Sequence, residues 1–359
     1  MLKILLFSFF LLGYLSALNI SHKYPNSEQV LKELDINQNY INNYEFKQFV
    51  YKNEAKFRRF YTNSTQRGKR IIPVFDDLLA KSGLSHLFVY LSMTESGFQV
   101  NAKSSKQAAG LWQFMSATAQ QYGLRVDKHM DQRYDPMAST NAAMKYIRAL
   151  YKRFGKWYLV MMAYNSGGGR IARAIKKAGS DNFETLMSKK HKYIPFETRR
   201  YLQKIILLSM MGEHIVKSDK KEDKKIELKI IDGKIFVNVY GGTNLIHFVD
   251  MLHIKLNQFF DMNPQLRDYK VPESIFIIQV KIPVENYPYY KAQYSPPTIA
   301  QIFKAKHYNK LIAYVIKGND SVKSIARKYS VTPIDLIITN QLSSNKLKNG
   351  SILMIPVSR

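Results

Sequence analysis

The sequence has no cysteine among its 359 residues. It can therefore form no disulfide framework, no thiolate metal site and no lipid-modified cysteine. The eight histidines are scattered, and none belongs to an H-E-x-x-H pattern or another metal-ligand cluster. The glycines at 167–169 lack the strand and the lysine that a phosphate-binding loop requires. The sequence therefore predicts a protein that uses no metal and no other cofactor.

Acidic residues are scarce as well. The 27 Asp and Glu residues face 54 Lys and Arg residues, which gives a formal net charge of +27 at pH 7. Such a surface attracts polyanions of any kind, including nucleic acid, anionic lipid and acidic wall polymers. A hydrophobic content of 46% in a chain of this length is enough for two or three domains with buried cores.

One apolar run stands out, at the N-terminus. Lys3 precedes apolar residues 4–15 and the small residues Ser16 and Ala17. This order is typical of a secretory signal peptide, here residues 1–17, and the run is short for a membrane span of about 20 residues. An uncleaved anchor is the alternative. Either way the rest of the chain is expected in the periplasm or cell envelope, so we predict no nucleic-acid partner.

The next two segments read as helical. Residues 18–69 form a lead-in with an amphipathic helix over 44–62, expected to pack on the following domain. Residues 70–215 carry closely spaced helical signals. One helix has Asp135 as its N-cap, Pro136 in its first turn and Gly155 at its end. Asp131 is expected to form a structural ion pair with Arg133.

The rest of the chain reads as small α+β modules. A charged linker over 216–226 precedes a segment over 227–285 that begins as strand-turn-strand around Gly233. A second linker covers 286–312, and a strand, two helices and a strand are predicted for 313–357. The fold class is therefore a mainly α domain followed by small α+β modules.

Glu95 is the candidate for chemistry. It lies at the end of an apolar stretch with Leu91, Met93 and Phe98, and no second acid follows until Asp127. Burial on such a face disfavours the charged carboxylate and raises its pKa. A carboxylic acid that is protonated near neutral pH can donate a proton to a glycosidic oxygen.

Three motifs accompany Glu95 in the helical region. They are E-S-G-F at 95–98, G-L-W-Q-F-M at 110–115 and A-Y-N-S-G at 163–167, with D-Q-R-Y-D-P at 131–136. In this order and spacing they resemble the soluble-lytic-transglycosylase (SLT) domain, a relative of goose-type lysozyme. Within that family they most resemble the membrane-bound lytic murein transglycosylase D type. The resemblance covers residues 70–215 and implies a lysozyme-like fold.

The resemblance also implies roles for individual residues. Glu95 would be the sole catalytic acid and then the base, and Ser96 would hydrogen-bond the acid or the sugar. Leu111, Trp112 and Phe114 would line the groove with apolar surface. The remaining saccharide-binding residues would be Gln113, Tyr164 and Asn165, with Tyr201 orienting Glu95 or stabilising positive charge on the sugar.

A single carboxylate favours one reaction over another. Glycoside hydrolases usually need a second carboxylate to activate water or attack the sugar. In N-acetylmuramic acid the C6 hydroxyl can attack C1 instead, which leaves a 1,6-anhydro ring. We therefore expect a lytic transglycosylase acting on peptidoglycan strands, with a hydrolytic muramidase or a non-catalytic wall-binding protein as alternatives.

The tail has a signature of its own. Residues 313–356 resemble the lysin motif (LysM), which binds N-acetylglucosamine chains, with expected binding loops near 318–322 and 339–344. Residues 240–284 show a weaker resemblance, with similar motif residues in the same order as in the tail. That segment is either a degenerate LysM-like repeat or an unrelated α+β spacer. Both modules could support a peripheral association with wall or membrane.

Overall fold

The computed structural model describes residues 19–69, 71–218, 230–231, 233–272, 277–295, 308–340, 342 and 347–358. The predicted signal peptide lies outside these ranges, as does most of the predicted 216–226 linker. The chain divides into two compact units, residues 1–126 with 132–226 and residues 127–131 with 227–359. Within the described ranges, no helix is long and apolar enough to span a membrane.

The regular elements of the first unit, among its described residues, are all helices. Its helices are α1 (Ile20–Lys23), α2 (Ser27–Glu33), α3 (Tyr44–Gly68), α4 (Ile72–Lys81), α5 (Phe88–Ser96), α6 (Ser116–Gln121), α7 (Pro136–Phe154), α8 (Trp157–Ser166), α9 (Gly168–Ala178), α10 (Phe183–Met187) and α11 (Phe196–Ser218). Short 3₁₀ turns cover Gln38–Asn42 and Gln132–Tyr134.

The lead-in shares its core with the helices that follow it. Helix α3 begins where the Asn43 side chain accepts hydrogen bonds from the backbone of Glu45 and Phe46, and it runs six residues beyond the predicted 62. Phe46 and Phe49 are buried in the same hydrophobic cluster as residues of α5, α8 and α11. The lead-in therefore packs against the helices that follow it.

Helix α7 has the ends that its sequence predicts. The Asp135 carboxylate accepts hydrogen bonds from the backbone N–H groups of Met137 and Ala138, Pro136 occupies the first turn, and Gly155 ends the helix at φ +69°. Both ends depend on residues within one turn of the boundary, which is why the local sequence is sufficient to predict them.

The second unit contains a strand-rich module between residues 230 and 294. Its elements are β1 (Ile230–Ile231), β2 (Lys234–Tyr240), α12 (Leu245–Met251), α13 (Leu256–Met262), β3 (Ile277–Pro283), a 3₁₀ turn (Val284–Asn286) and α14 (Tyr287–Gln293). Strands β2 and β3 are antiparallel with Val237 opposite Val280, and β1 extends the sheet beside β2.

Helix α14 falls where the sequence predicts a linker. Tyr287, Tyr290 and Tyr294 pack against the buried core of the strand-rich module. The tyrosine rings therefore tie the start of the 286–312 segment to that core, and the predicted linker begins with a helix. Its remainder, residues 296–307, lies outside the described ranges.

Residues 127–131 belong to the second unit, although they lie between α6 and α7 in sequence. Asp131 is fully buried there, and its carboxylate pairs with the Arg267 guanidinium at 2.5 Å. The sequence suggests Arg133 as the partner of Asp131. The structure shows Arg267, 136 residues along the chain, as an ion-pair partner that no local pattern indicates.

The tail module has its own small core. It consists of β4 (Lys310–Val315), α15 (Val322–Lys328), α16 (Pro333–Thr339) and β5 (Ile352–Val357), with β4 and β5 antiparallel. Capping boxes start both helices, from Ser321 with Ser324 and from Thr332 with Asp335. The strand-helix-helix-strand order matches the prediction for 313–357.

The strand-rich module and the tail module repeat one arrangement. Each runs strand, helix, helix, strand, and in each an asparagine after the second helix forms two hydrogen bonds with the backbone of the last strand. Asn263 donates to Lys281 O at 2.8 Å and accepts from Lys281 N at 2.7 Å. Asn340 does the same with Met354, at 2.6 Å for both bonds.

Candidate active site

Glu95 lies at the last turn of α5. The helix is buried along most of its length, with Leu91 and Met93 inaccessible to solvent, and it ends where Gly97 adopts the left-handed conformation at φ +57°. Glu95 itself is partly buried, whereas Ser96, Gly97 and Phe98 after it are buried. The apolar helix thus delivers one carboxyl group to the edge of the core.

The surroundings of Glu95 favour the protonated form of its carboxyl group. Burial raises the pKa of Glu95 from 4.5 to about 7. A hydrogen bond donated by the Tyr201 hydroxyl and the positive charge of Lys204 both favour the carboxylate, but they offset burial only in part. Half of the population therefore carries the proton at about neutral pH, as a general acid requires.

Two tyrosines complete the immediate neighbourhood. Burial raises the pKa of both Tyr164 and Tyr201 well above 10, so both hydroxyls keep their protons. Tyr201 on α11 donates to Glu95 Oε1, while Tyr164 on α8 donates to Trp112 O at 2.9 Å. The ring of Tyr146 lies 5.2 Å from that of Tyr164. The structure thus brings together residues that lie far apart in the sequence.

The loop at residues 110–115 depends on close backbone packing. Gly110 has φ +77°, and a Cβ atom there would lie 1.8 Å from Arg133 O. The Arg133 guanidinium, almost fully buried, donates to the carbonyls of Gln107 at 2.8 Å and Phe114 at 3.0 Å. Arg133 of the D-Q-R-Y-D-P motif therefore supports the loop that carries the second motif.

Gln113 is held as a hydrogen-bond acceptor. Its Nε2 donates to Ala102 O at 3.2 Å and to Gly110 O at 2.9 Å, which uses both of its N–H groups. Its backbone has φ +47°, an unusual value for a residue other than glycine. The side chain is partly buried, and its Oε1 is the atom oriented to receive a hydroxyl or amide donor.

Ser96 links two motifs. It is 7% exposed, and its hydroxyl donates to Leu111 O at 2.8 Å while accepting from Phe98 N at 3.1 Å. Ser92, one turn earlier, also donates to Leu111 O. Ser96 therefore joins the end of α5 to the 110–115 loop, and its contact with the acid or a sugar stays a prediction.

The apolar residues of the second motif are core residues. Leu111, Trp112 and Phe114 are at most 2% exposed, so they are part of the core, and their contact with a saccharide stays a prediction. Trp112 stacks on Phe75 and donates from Nε1 to Thr140 Oγ1 at 2.9 Å. These partners come from α4 and α7, so the burial of the motif is a tertiary property.

Asn165 is positioned by α11. Its Oδ1 accepts a hydrogen bond from the buried Thr198 hydroxyl at 2.9 Å, and Thr198 lies one turn before Tyr201. With Oδ1 engaged in this bond, the Asn165 amide N–H₂ is oriented as a donor. Gln113 and Asn165 thus offer opposite hydrogen-bonding groups.

Lys204 is the neighbour of Glu95 that motif reasoning misses. Burial lowers its pKa from 10.5 to about 8, its Nζ donates to Thr94 O at 3.2 Å, and its ammonium lies 4.1 Å from the centre of the Phe60 ring. The available signal is spacing, because residues 201 and 204 share a helix face. Among the described residues, burial, Tyr201 and Lys204 account for the shifted pKa of Glu95, and no second carboxylate contributes.

Metal ligation has no support within the described part of the chain. No group of three or more His, Asp or Glu side chains there is arranged to hold an ion. The groups that the structure places beside Glu95 are the hydroxyls of Tyr164 and Tyr201 and the ammonium of Lys204.

Comparison with known proteins identifies the class of each domain. Residues 75–187 match the family described as the transglycosylase SLT domain, and residues 314–356 match the LysM domain. The first match contains Glu95, Gln113, Tyr164 and Asn165. The chain therefore contains one segment similar to the SLT domain and a second segment, nearer its end, similar to the LysM domain.

Individual proteins are similar to parts of this chain. The membrane-bound lytic murein transglycosylase D of Escherichia coli (strain K12) is 29% identical over 282 residues, covering 74% of this chain and 59% of the relative. The peptidoglycan transglycosylase gp16 of Escherichia phage T7 is 32% identical over 145 residues, covering 38% of this chain and 10% of the relative. The solved 70 kDa soluble lytic transglycosylase from Escherichia coli shares 23% identity at a TM-score of 0.34, covering 39% of this chain and 24% of its own. The chain thus spans less than two thirds of the length of these relatives.

Proposed function

We propose that the protein is a peptidoglycan lytic transglycosylase that cleaves the β-1,4 bond between N-acetylmuramic acid and N-acetylglucosamine. The observation that carries the proposal is a single carboxyl, Glu95, whose pKa is raised to about 7 and which receives a hydrogen bond from Tyr201. The SLT match and the relatives named above support the same activity.

In the first step Glu95 acts as the acid. Its proton passes to the glycosidic oxygen, the bond between C1 and that oxygen breaks, and N-acetylglucosamine leaves with a free 4-hydroxyl. Positive charge then develops on the muramic acid ring. The Tyr201 hydroxyl stabilises the new carboxylate, which is why the pKa of Glu95 is held at about 7 rather than higher.

In the second step the same carboxylate acts as the base. It accepts the proton of the C6 hydroxyl while that oxygen bonds to C1, which closes a 1,6-anhydro ring and restores the protonated Glu95. No water is consumed, so no second carboxylate is needed to activate one. One titrating group thus serves both half-reactions.

Digestion of purified sacculi tests the reaction. The protein lacking residues 1–17 is expected to release muropeptides with anhydro ends, each lighter by one water than its reducing-end counterpart in mass spectrometry. Glu95→Gln is expected to lower the rate by at least about 100-fold, the usual lower bound for losing a general acid. Glu28→Gln, an exposed acid in α2, is the matched control.

The alternatives predict different products. Reducing-end muramic acid would identify a hydrolytic muramidase. Wall binding without release of either product, unchanged by Glu95→Gln, would identify a non-catalytic wall-binding protein. Anhydro products at the same rate in wild type and Glu95→Gln would exclude Glu95 as the acid.

We also propose that both small modules contact the glycan, with the tail module binding N-acetylglucosamine. The LysM match supports this for residues 314–356. For residues 230–283 the support is the repeated strand-helix-helix-strand order and the asparagine hydrogen bonds to the last strand. Substrate and relatives are both consistent with residence in the cell envelope, after export directed by residues 1–17.

A further inference from the structure

A small cavity lies in the first unit between α3 and the start of α11. Its volume is about 140 Å³, enough for a carboxylate and part of the chain that bears it. Phe196, the first residue of α11, forms one side and is 65% exposed, an unusual position for a large aromatic ring. None of the residues proposed above to act on the glycan lines this cavity.

The charge lining the cavity is strongly unbalanced. Lys52, Lys189, Arg199 and Arg200 contribute four positive charges, and Glu45 contributes the one negative charge. Glu45 is already paired with Lys189 at 3.3 Å. The net potential inside the cavity therefore favours an anion.

Arg199 supplies a hydrogen-bond donor that has no partner among the residues the structure describes. The residue is 8% exposed, and its Nε has no hydrogen-bond partner, while its terminal nitrogen donates to Met187 O at 3.4 Å. A buried guanidinium N–H that is left unsatisfied costs free energy, and an incoming acceptor would recover it. A carboxylate is the acceptor that best fits the planar guanidinium.

Arg200 makes the other wall rigid. Its guanidinium lies 4.3 Å from the centre of the Phe49 ring and 5.8 Å from that of Phe196, and it donates to Asn53 Oδ1 at 3.1 Å. These contacts fix both the charge and the exposed ring before a ligand arrives. A preformed wall reduces the entropy lost on binding.

The cavity and the candidate active site lie on different faces of α11. Phe196, Arg200 and Gln203 recur at helical spacing and line the cavity, whereas Tyr201 is rotated by about 100° from Arg200. Phe196 and Tyr201 are separated by about 7.5 Å along the helix axis. A wall peptide extended from a glycan held at Glu95 would have to span about 7.5 Å along α11 and also pass around the helix to reach the cavity, and an extended chain covers about 3.3 Å per residue.

We propose that this cavity is a carboxylate-binding site that receives a free carboxylate of the peptides attached to the wall glycan. The assignment of the carboxylate to a wall peptide rests on the proposed function, whereas the affinity for a carboxylate does not. Lys52 and Arg199 attract and bind the carboxylate, and Phe196 covers the chain next to it.

Isothermal titration with two peptides tests the site. One is a synthetic wall peptide with free carboxylates, and the other is the same peptide with every carboxylate amidated. Wild type is expected to bind the first about tenfold or more tightly than the second. Sodium acetate as a competitor distinguishes a general carboxylate site, which it blocks, from one that requires the peptide.

Three variants locate the binding. Arg199→Gln is expected to abolish the preference for free carboxylates, and Lys52→Gln and Phe196→Ala to reduce it about threefold or more. Lys52 and Phe196 are exposed, so their variants are expected to fold. They test the preference for free carboxylates if Arg199→Gln does not fold. Lys177→Gln, an exposed lysine at the end of α9, is the control and should bind like wild type.

The outcomes separate this site from the reaction. Equal affinity of wild type for the two peptides, or an unchanged preference in the folded cavity variants, would overturn the inference even if sacculi are cleaved. Carboxylate binding by a protein that releases no anhydro muropeptides would instead leave the site in place and count against the proposed function.

Discussion

The carboxyl of Glu95 is subject to opposing influences. Burial favours its protonated form, while the Tyr201 hydroxyl and the Lys204 ammonium favour the carboxylate. The proposed mechanism needs both forms in turn, so the balance matters more than any one contact. Activity that depends on protonated Glu95 should decline as the pH rises through about 7.

This balance predicts the direction in which two variants shift the pH profile. Tyr201→Phe removes a hydrogen bond to the carboxylate, and Lys204→Met removes a positive charge, so each should raise the pKa of Glu95. We expect the alkaline limb of kcat/KM to move up by about one pH unit in each variant, as loss of about 1.4 kcal/mol of carboxylate stabilisation implies. The measurement is the rate of anhydro-product formation from a soluble glycan between pH 5 and 9. This range extends about 2 pH units on either side of the expected pKa of Glu95.

Conservative variants provide the controls for this experiment. Lys204→Arg keeps the charge and should shift the limb less than Lys204→Met, whereas Tyr151→Phe, on an exposed surface of α7, should not shift it. The groups facing Lys204 and Glu95 also include Tyr146, Tyr164 and Lys56. A limb that stays at about pH 7 in both Tyr201→Phe and Lys204→Met would contradict the assignment.

The sequence predicts some residues of the candidate site and misses others. Glu95 is identified because an acid on an apolar stretch implies burial, and the motifs add Gln113, Tyr164 and Asn165. The sequence does not predict Lys204 as a site residue, because no local pattern indicates that this lysine is buried. Its role depends on Thr94 and Phe60, which lie more than 100 residues earlier in the chain.

At the scale of elements, the 110–115 loop depends on a backbone-to-backbone contact. The carbonyl of Arg133 occupies the space that any side chain at position 110 would need. Arg133 in turn donates to the carbonyls of Gln107 and Phe114, on either side of Gly110. The second motif and the D-Q-R-Y-D-P motif therefore form one structural element.

Gly110→Ala is expected to be strongly destabilising. The added Cβ would contact Arg133 O at 1.8 Å in a backbone conformation that disfavours alanine, so we expect a loss of at least about 3 kcal/mol in the free energy of unfolding. Urea unfolding of wild type and variant measures the difference.

Gly123→Ala is the matched control. Gly123 also has a positive φ, +92°, but an added Cβ would meet no heavy atom within 4 Å in the described part of the chain. Only the backbone preference then changes, at about 1 kcal/mol. Equal losses at positions 110 and 123 would show that the contact with Arg133 contributes nothing.

Elements differ in how far local sequence determines them. The ends of α7 follow from Asp135 and Gly155, because capping involves atoms within one turn. The burial of Trp112 does not follow from its motif, since its partners Phe75 and Thr140 lie 37 residues before it and 28 residues after it. Motif position predicts a saccharide groove there, and only tertiary packing reveals a core residue.

For the whole molecule, the separate cores of the modules imply separable contributions to wall binding. The tail module buries its own hydrophobic cluster, which includes Ile325, Leu336 and Ile355, and shares no residue with the other two clusters. Its removal should therefore leave the SLT domain folded. Tethering raises the effective concentration of glycan at the active site.

A chain that ends at residue 295 tests this separation. It should cleave insoluble sacculi at least about tenfold more slowly than the longer chain at low enzyme concentration, with an unchanged rate on a short soluble glycan. Residual pull-down by sacculi would indicate binding by the strand-rich module. Equal rates on sacculi would show that the tail module contributes no tethering, and a loss on both substrates would point to a folding defect, visible by circular dichroism.

Domain exchange between related enzymes is constrained by the ion pair of Asp131 and Arg267. A chimera with its crossover at residue 226 takes residues 127–131 from one parent and residue 267 from the other. The fully buried carboxylate of Asp131 would then be separated from the arginine with which it pairs. Arg267 is 39% exposed, so we expect the loss of this partner of the buried carboxylate to cost about 1–3 kcal/mol. Functional chimeras should therefore inherit positions 131 and 267 from the same parent.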